Sequence, residues 1–107
     1  MTILASFQPA YGVGITETAT TTSAQYTIDP AVGRPGGGNK SVVVTNQGDT
    51  NGVYVRVGTG TFTATDADYY IPAGAQITLT KAEQHDKIAI LAAADTTAIH
   101  AIVGEGF

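Results

Sequence analysis

Ser41-Val42-Val43-Val44-Thr45-Asn46 and Val53-Tyr54-Val55-Arg56-Val57 are the two stretches that decide how this chain folds. The first is a β-branched run, the residue class that packs best on a pleated surface. The second alternates, with Val53, Val55 and Val57 on one face and Tyr54 and Arg56 on the other, the period-2 signature of a half-buried strand. Between them Gln47-Gly48-Asp49-Thr50-Asn51-Gly52 is turn chemistry, because Gly, Asn and Asp accept the backbone angles that turns impose. The two runs and their connection read as a β-hairpin with a loop of about five residues.

Working outward, the same signal recurs. Gln76-Ile77-Thr78-Leu79-Thr80 alternates with Ile77 and Leu79 inward. Lys87-Ile88-Ala89-Ile90-Leu91-Ala92 and Ala98-Ile99-His100-Ala101-Ile102-Val103 are further runs, joined by the polar Asp95-Thr96-Thr97. Tyr26-Thr27-Ile28 is a short strand candidate and residues 12–23 a weaker, Thr-rich one. Lys81-Ala82-Glu83-Gln84-His85-Asp86 is the one stretch with helix-forming composition, and it is too short for more than a single turn. Ile71-Pro72-Ala73-Gly74 reads as a turn feeding the strand from Gln76. Asp29-Pro30 and Arg34-Pro35-Gly36-Gly37-Gly38-Asn39 read as a flexible connection. Short strands separated by Gly/Pro turns predict an all-β protein, an antiparallel sandwich or barrel of seven or eight short strands. Residues 1–14 are expected to form an irregular N-terminal arm or edge strand, and residues 15–107 a single domain.

Composition narrows the function. Of the 107 residues only 13% are charged, against about 25% in typical domains. Thr, Ala and Gly fill much of the remainder. Five basic residues face nine acidic ones, for a net charge of −4. Arg34, Lys40, Arg56, Lys81 and Lys87 are scattered singly, without the clustered footprint of a nucleic-acid binder or an anionic-membrane binder. No apolar run has the length of a membrane-spanning helix. The start, Met1 to Phe7, lacks the basic region of a secretory signal. There is no cysteine, which removes disulfides, thiolate ligands and thiol nucleophiles.

Several residues carry chemistry in principle. His85-Asp86 with Glu83 is the one local cluster of metal or acid–base groups, and a solvated turn between two strands explains it better, since a metal cage needs more partners than so short a segment brings together. His100 sits in a strand between Ile99 and Ala101, as a half-buried surface histidine would, with a protonation change near neutral pH as its functional alternative. Ser6, Ser23 and Ser41 lack nucleophile-elbow spacing. Asp66 and Asp68 fit a polar loop better than paired carboxylates, and Gly36-Gly37-Gly38 lacks the lysine of a phosphate loop. Thr16, Thr18, Thr20 and Thr22 form one alternating row and Thr59, Thr61, Thr63 and Thr65 another, each able to line one face of a strand. Tyr69-Tyr70 offers a stacking platform for a sugar, with at most one of the two rings exposed if the segment is a strand. No catalytic set, metal or cofactor is expected. Apolar side chains near the termini, Phe7, Tyr11 and Phe107, join Tyr69 and Tyr70 as candidate partner contacts.

Three segments resemble small virion proteins of tailed bacteriophages. They are Val42-Val43-Val44-Thr45-Asn46-Gln47-Gly48, then Val53-Tyr54-Val55-Arg56-Val57-Gly58-Thr59-Gly60, and Ala64-Thr65-Asp66-Ala67-Asp68-Tyr69-Tyr70-Ile71-Pro72-Ala73-Gly74. The closing Ile88-Ala89-Ile90-Leu91-Ala92 and Val103-Gly104-Glu105-Gly106 follow the same pattern. The resemblance spans residues 41–106 and rests on strand and turn punctuation. It implies a jelly-roll-like β-sandwich on the capsid exterior, a decoration or cement protein that contacts the major capsid protein and associates with itself as a homotrimer or homodimer. A head–tail adaptor, a tail accessory protein and a glycan-binding module are the alternatives.

Overall fold

The computed structural model describes residues 8–32 and 38–105, and Phe7, Phe107, Ser6 and most of the Gly-rich connection lie outside them. Among the described residues there are nine strands: β1 (Gln8–Pro9), β2 (Ile15–Ala19), β3 (Ala24–Thr27), β4 (Ser41–Asn46), β5 (Val53–Gly58), β6 (Tyr69–Ile71), β7 (Gln76–Thr80), β8 (Lys87–Ala92) and β9 (Thr97–Glu105). That is one more than the sequence suggests. The two-residue β1 and the three-residue β6 are too short to show a period. Strand β1 docks the described part of the N-terminal segment onto the chain's own sheet, Gln8 opposite Glu105 and Pro9 opposite Gly104.

The strands form an antiparallel β-sandwich. In the first sheet β1 and β2 both pair with β9, followed by β4 and β7; the second runs β3-β8-β5-β6. The pairing is nested: β5 with β6, β4 with β7, β3 with β8 and β2 with β9. The chain is thus one long hairpin whose tip is the 59–68 loop, rolled up until β4 meets β9 and β5 meets β8. This is the winding of a jelly roll.

The expected hairpin between β4 and β5 does not form, because the two strands lie in different sheets. Asn46 is the physical reason. Fully buried at the end of β4, its side-chain amide donates to the carbonyls of Asn51 at 2.9 Å and Ile71 at 3.2 Å. Its oxygen accepts from the Gly48 N–H at 3.0 Å and the Thr97 hydroxyl at 2.6 Å. Those bonds hold the 47–52 segment as a crossover between the layers. Strand β4 is also buried along nearly its whole length, which suits the Val42-Val43-Val44 run to an interior strand with a neighbour on each side.

The core lies between the layers. Val42, Val44, Ile99, Ala101 and Val103 from the first sheet meet Val53, Val55, Ile71, Ile88 and Ile90 from the second, with Ile77 and Leu79 packed at the margin. At one end, Asp29 follows β3 and Lys81 follows β7. Their side chains are fully buried and 2.8 Å apart, so a single ion pair ties the two sheets together. The turn before β7 is Pro72 to Ala75, closed by the Ala75 N–H on the Pro72 carbonyl at 3.1 Å. Gly74 takes φ +76° at its third position, as a type II turn requires.

Candidate functional site

The two outer faces of the sandwich differ in what they present. The second sheet turns Tyr70, Tyr54 and Leu91 outward in one cross-strand row and Arg56, Ala89 and Gln25 in the next. The 59–68 loop lies across this second row. The Gln25 amide donates to the Gly60 carbonyl at 2.7 Å, and the Ala64 N–H donates to the Ser23 hydroxyl at 2.8 Å. The Arg56 guanidinium sits 5.5 Å from the Phe62 ring centroid, a cation–π contact. Ala89 points away from the core yet is fully buried, because the loop covers it.

The second threonine row belongs to that loop and not to a strand, which corrects the expectation. Thr59, Thr61, Thr63 and Thr65 are all exposed, while Phe62 and Ala64 turn toward the sheet. The alternation is real, but the segment finds its partners in side chains and single backbone groups, so no ladder forms. In the first row, Thr16 and Thr18 do line one face of β2, both exposed.

The outer face of the first sheet is open only in part: Thr16, Thr18, Gln76 and Thr78 are exposed, while Ser41 and Val43 on the same face of β4 are buried. Thr16, His100, Thr45 and Gln76 form a continuous row across four strands. The Gln76 amide donates to the Thr45 hydroxyl at 2.9 Å. Beside it runs the row Ile102, Val43 and Thr78. Neither row holds an Asp, Glu, Lys or Arg, and His100 is their one titratable group. Gly14 passes close by; a Cβ there would meet His100 Nε2 at 2.9 Å.

The candidate contact residues are not brought together. Tyr11 is 85% exposed, on the chain entering β2. Tyr69 and Tyr70 are 48% and 46% exposed in β6. Connections of four residues link β2 to β3 and β6 to β7, so Tyr11 and the Tyr69-Tyr70 pair occupy opposite flanks of the roll. Both adjacent tyrosines are half-exposed, against the expectation of one. Strand β6 is an edge strand, and a side chain facing inward there is not covered by the opposite sheet. Tyr70 packs on Tyr54, ring centroids 5.2 Å apart and tilted by 53°. Phe7 and Phe107 lie outside the described residues.

The polar candidates are engaged locally. Asp86 pairs with Lys87 at 3.1 Å and Glu83 with Lys40 at 3.5 Å, so the acids beside His85 face two different lysines. Asp68 accepts from the Thr65 N–H at 2.8 Å, closing the loop before β6. Among the described residues no group of three His, Asp or Glu side chains is placed to hold a metal ion.

Sequence reasoning missed the buried Asp29–Lys81 pair. The Asp29 carboxylate accepts from Lys81 Nζ at 2.8 Å, from the Asn39 N–H at 2.7 Å and side-chain amide at 3.1 Å, and from the Ala31 N–H at 3.1 Å. Burial by itself pushes its pKa up, but the Lys81 and backbone hydrogen bonds outweigh it and hold the carboxyl below its ordinary value. Asp29-Pro30 marks a turn in the sequence, and nothing there marks a partner 52 residues away.

No family model and no curated protein matches the chain. Among solved structures it is similar to a de novo designed double-stranded β-helix, with a TM-score of 0.46 and 15% identity over 86% of this chain and 97% of that one. It is also similar to a chain described under Bacillus endospore appendages that form a novel family of disulfide-linked pili. There the TM-score is 0.49, with 19% identity over 95% of this chain and 89% of that one. Likenesses this distant carry no argument about function, and neither description concerns a phage.

Proposed function

We propose that this chain is a structural protein of a tailed-phage virion. It assembles in the host cytoplasm, binds the outside of the capsid as a decoration or cement protein and stabilises the shell by contact, without catalysis. The observation that carries this reading is the partly exposed outer face of the first sheet, poor in charge. The exposed part of that face, threonine hydroxyls and methyls beside half-buried Ile102, can be covered without desolvating an Asp, Glu, Lys or Arg side chain, and desolvating a charge is the large cost of burying a polar surface. Such a shallow contact is weak for one copy and strong when repeated over a lattice, because avidity multiplies it. The resemblance over residues 41–106 supplies the partner, the major capsid protein. That jelly rolls recur in viral capsids and in lectins is analogy at the level of fold alone.

Quantitative mass spectrometry of purified particles tests the proposal. A copy number near that of the major shell protein, or a simple fraction of it, is expected, with lowered heat tolerance in particles lacking the chain. A handful of copies moves the assignment to a head–tail adaptor or tail accessory protein, and absence from particles overturns the virion reading.

A second reading has its own observation. The tilted Tyr54–Tyr70 pair beside half-exposed Tyr69 is an aromatic surface of the kind that stacks on a sugar ring. Sugar affinity lost in Tyr70→Ala would put a glycan-binding module in front.

A further inference from the structure

Edge strands present unpaired backbone groups, and folded proteins guard them with charge, proline, shortness or a cover. Most edges of this sandwich are guarded. Strand β1 carries Pro9 and β2 carries Glu17. Strand β3 lies under the 59–68 loop through the Gln25–Gly60 and Ser23–Ala64 bonds. Strand β6 has three residues, closed off by Pro72. Among the described residues, strand β7 has none of these devices. Gln76-Ile77-Thr78-Leu79-Thr80 is five residues long, uncharged, and free of Pro and Gly.

The hydrogen-bond phase of β7 shows which groups are free. Its register places Ser41 opposite Thr80 and Thr45 opposite Gln76. Just beyond the strand ends, the Lys81 N–H donates to the Lys40 carbonyl at 2.8 Å and the Asn46 N–H to the Ala75 carbonyl at 2.9 Å. In an antiparallel ladder bonding alternates residue by residue, so Ile77 and Leu79 bond β4. The N–H and C=O of Gln76, Thr78 and Thr80 therefore point away from the sheet, and among the described residues β7 pairs with β4 alone.

We infer that β7 is a self-association edge: β7 of one copy pairs antiparallel with β7 of a second copy about a twofold axis at Thr78. The sequence of the edge is complementary to itself in that register. Thr78 faces Thr78, Gln76 faces Thr80, and Ile77 faces Leu79, so polar meets polar on the outer face and apolar meets apolar on the core side. The three outward-pointing pairs supply about six backbone hydrogen bonds, two for each pair. Each copy carries a net charge of −4, and this edge and the outer rows beside it bring no charge to the contact. A twofold interface uses one patch on both partners, which the edge satisfies. The inference does not depend on the capsid reading.

The test uses the purified full-length chain. Sedimentation across protein concentrations up to about 1 mM is expected to show a monomer–dimer equilibrium. Thr78→Lys places two ammonium groups opposite each other across the axis, and like charges so placed repel; dimerisation is expected to weaken about tenfold or more. Because the natural chain has no cysteine, Thr78→Cys is a position-specific probe. Directly hydrogen-bonded residues stand about 5.5 Å apart at Cα, within the disulfide range of about 4.4–6.8 Å. Mild oxidation is expected to yield a covalent dimer from Thr78→Cys and not from Thr16→Cys on the guarded β2. A chain that stays monomeric throughout overturns the inference. So does a dimer indifferent to Thr78→Lys whose Thr78→Cys form does not cross-link. A β7 dimer in a chain absent from phage particles would leave this edge standing and remove only the capsid reading.

Discussion

The two outer faces of this jelly roll share a scaffold and follow opposite policies toward water. The second sheet places Arg56, Ala89 and Gln25 outward and then covers them with Phe62 and the 59–68 loop. The first sheet leaves the Thr16–His100–Thr45–Gln76 row without a described cover and without an Asp, Glu, Lys or Arg. The first arrangement uses the chain's own residues to finish the fold. The second leaves a surface that a partner can cover at little desolvation cost. The difference teaches where to look for function in a chain whose polar groups mostly satisfy one another: on the face whose threonines stay exposed among the described residues.

The largest expected effect concerns what holds both faces on one roll. Lys81→Ala leaves the Asp29 carboxylate buried without its ammonium, at a cost of about 3–5 kcal/mol, readable as a loss of unfolding free energy in urea. Acid acts on the same pair. The Asp29 pKa is lower in the folded state than in the unfolded chain. Its contribution is therefore fully present above the ordinary carboxylate pKa and is lost as pH falls through the lowered folded value. The native chain should lose stability over that acid window more steeply than Asp29→Asn. Equal slopes would break the assignment.

A matched pair of substitutions then tests the faces directly. Ala89→Glu buries a charge beneath the loop and should cost about 3 kcal/mol. Thr45→Glu, on the partly exposed face, should change stability by no more than about 0.5 kcal/mol. Equal costs would mean that the faces do not differ as described. Phe62→Ala removes a half-buried ring from the cover, and about 1–2 kcal/mol is expected, less than for a fully buried phenylalanine. Protease should then cleave within residues 59–68 more readily. The smallest effect on stability should accompany the largest on binding: Thr45→Lys is expected to fold normally and to lose particle attachment. Full attachment by Thr45→Lys would move the docking surface elsewhere.

Much of the fold is legible in the residues. The alternation of Val53, Val55 and Val57 and of Ile77 and Leu79 names the inward faces correctly, and Gly74 marks its turn. The hairpin reading of residues 41–57 fails for an instructive reason. A turn-rich segment between two strands looks the same whether it reverses the chain within a sheet or carries it to the next layer. Asn46 decides between the two, through partners at Asn51, Ile71 and Thr97 that become neighbours only on folding. The candidate surfaces were legible as residue types and not as places. The two threonine rows look alike in the sequence, yet one lines a strand and the other a covering loop.

By itself, then, the sequence determined the all-β class, the inward residues of the main strands and the exclusion of cysteine chemistry. Periodicity and composition are local properties, and these conclusions need nothing more. The tertiary structure alone decided the nesting of strand pairs, the burial of Lys81 against Asp29, the covering of one face and the free edge at β7. Each of these depends on which distant segments meet. A two-residue period tells a strand which face to bury and leaves open which neighbour it will bond.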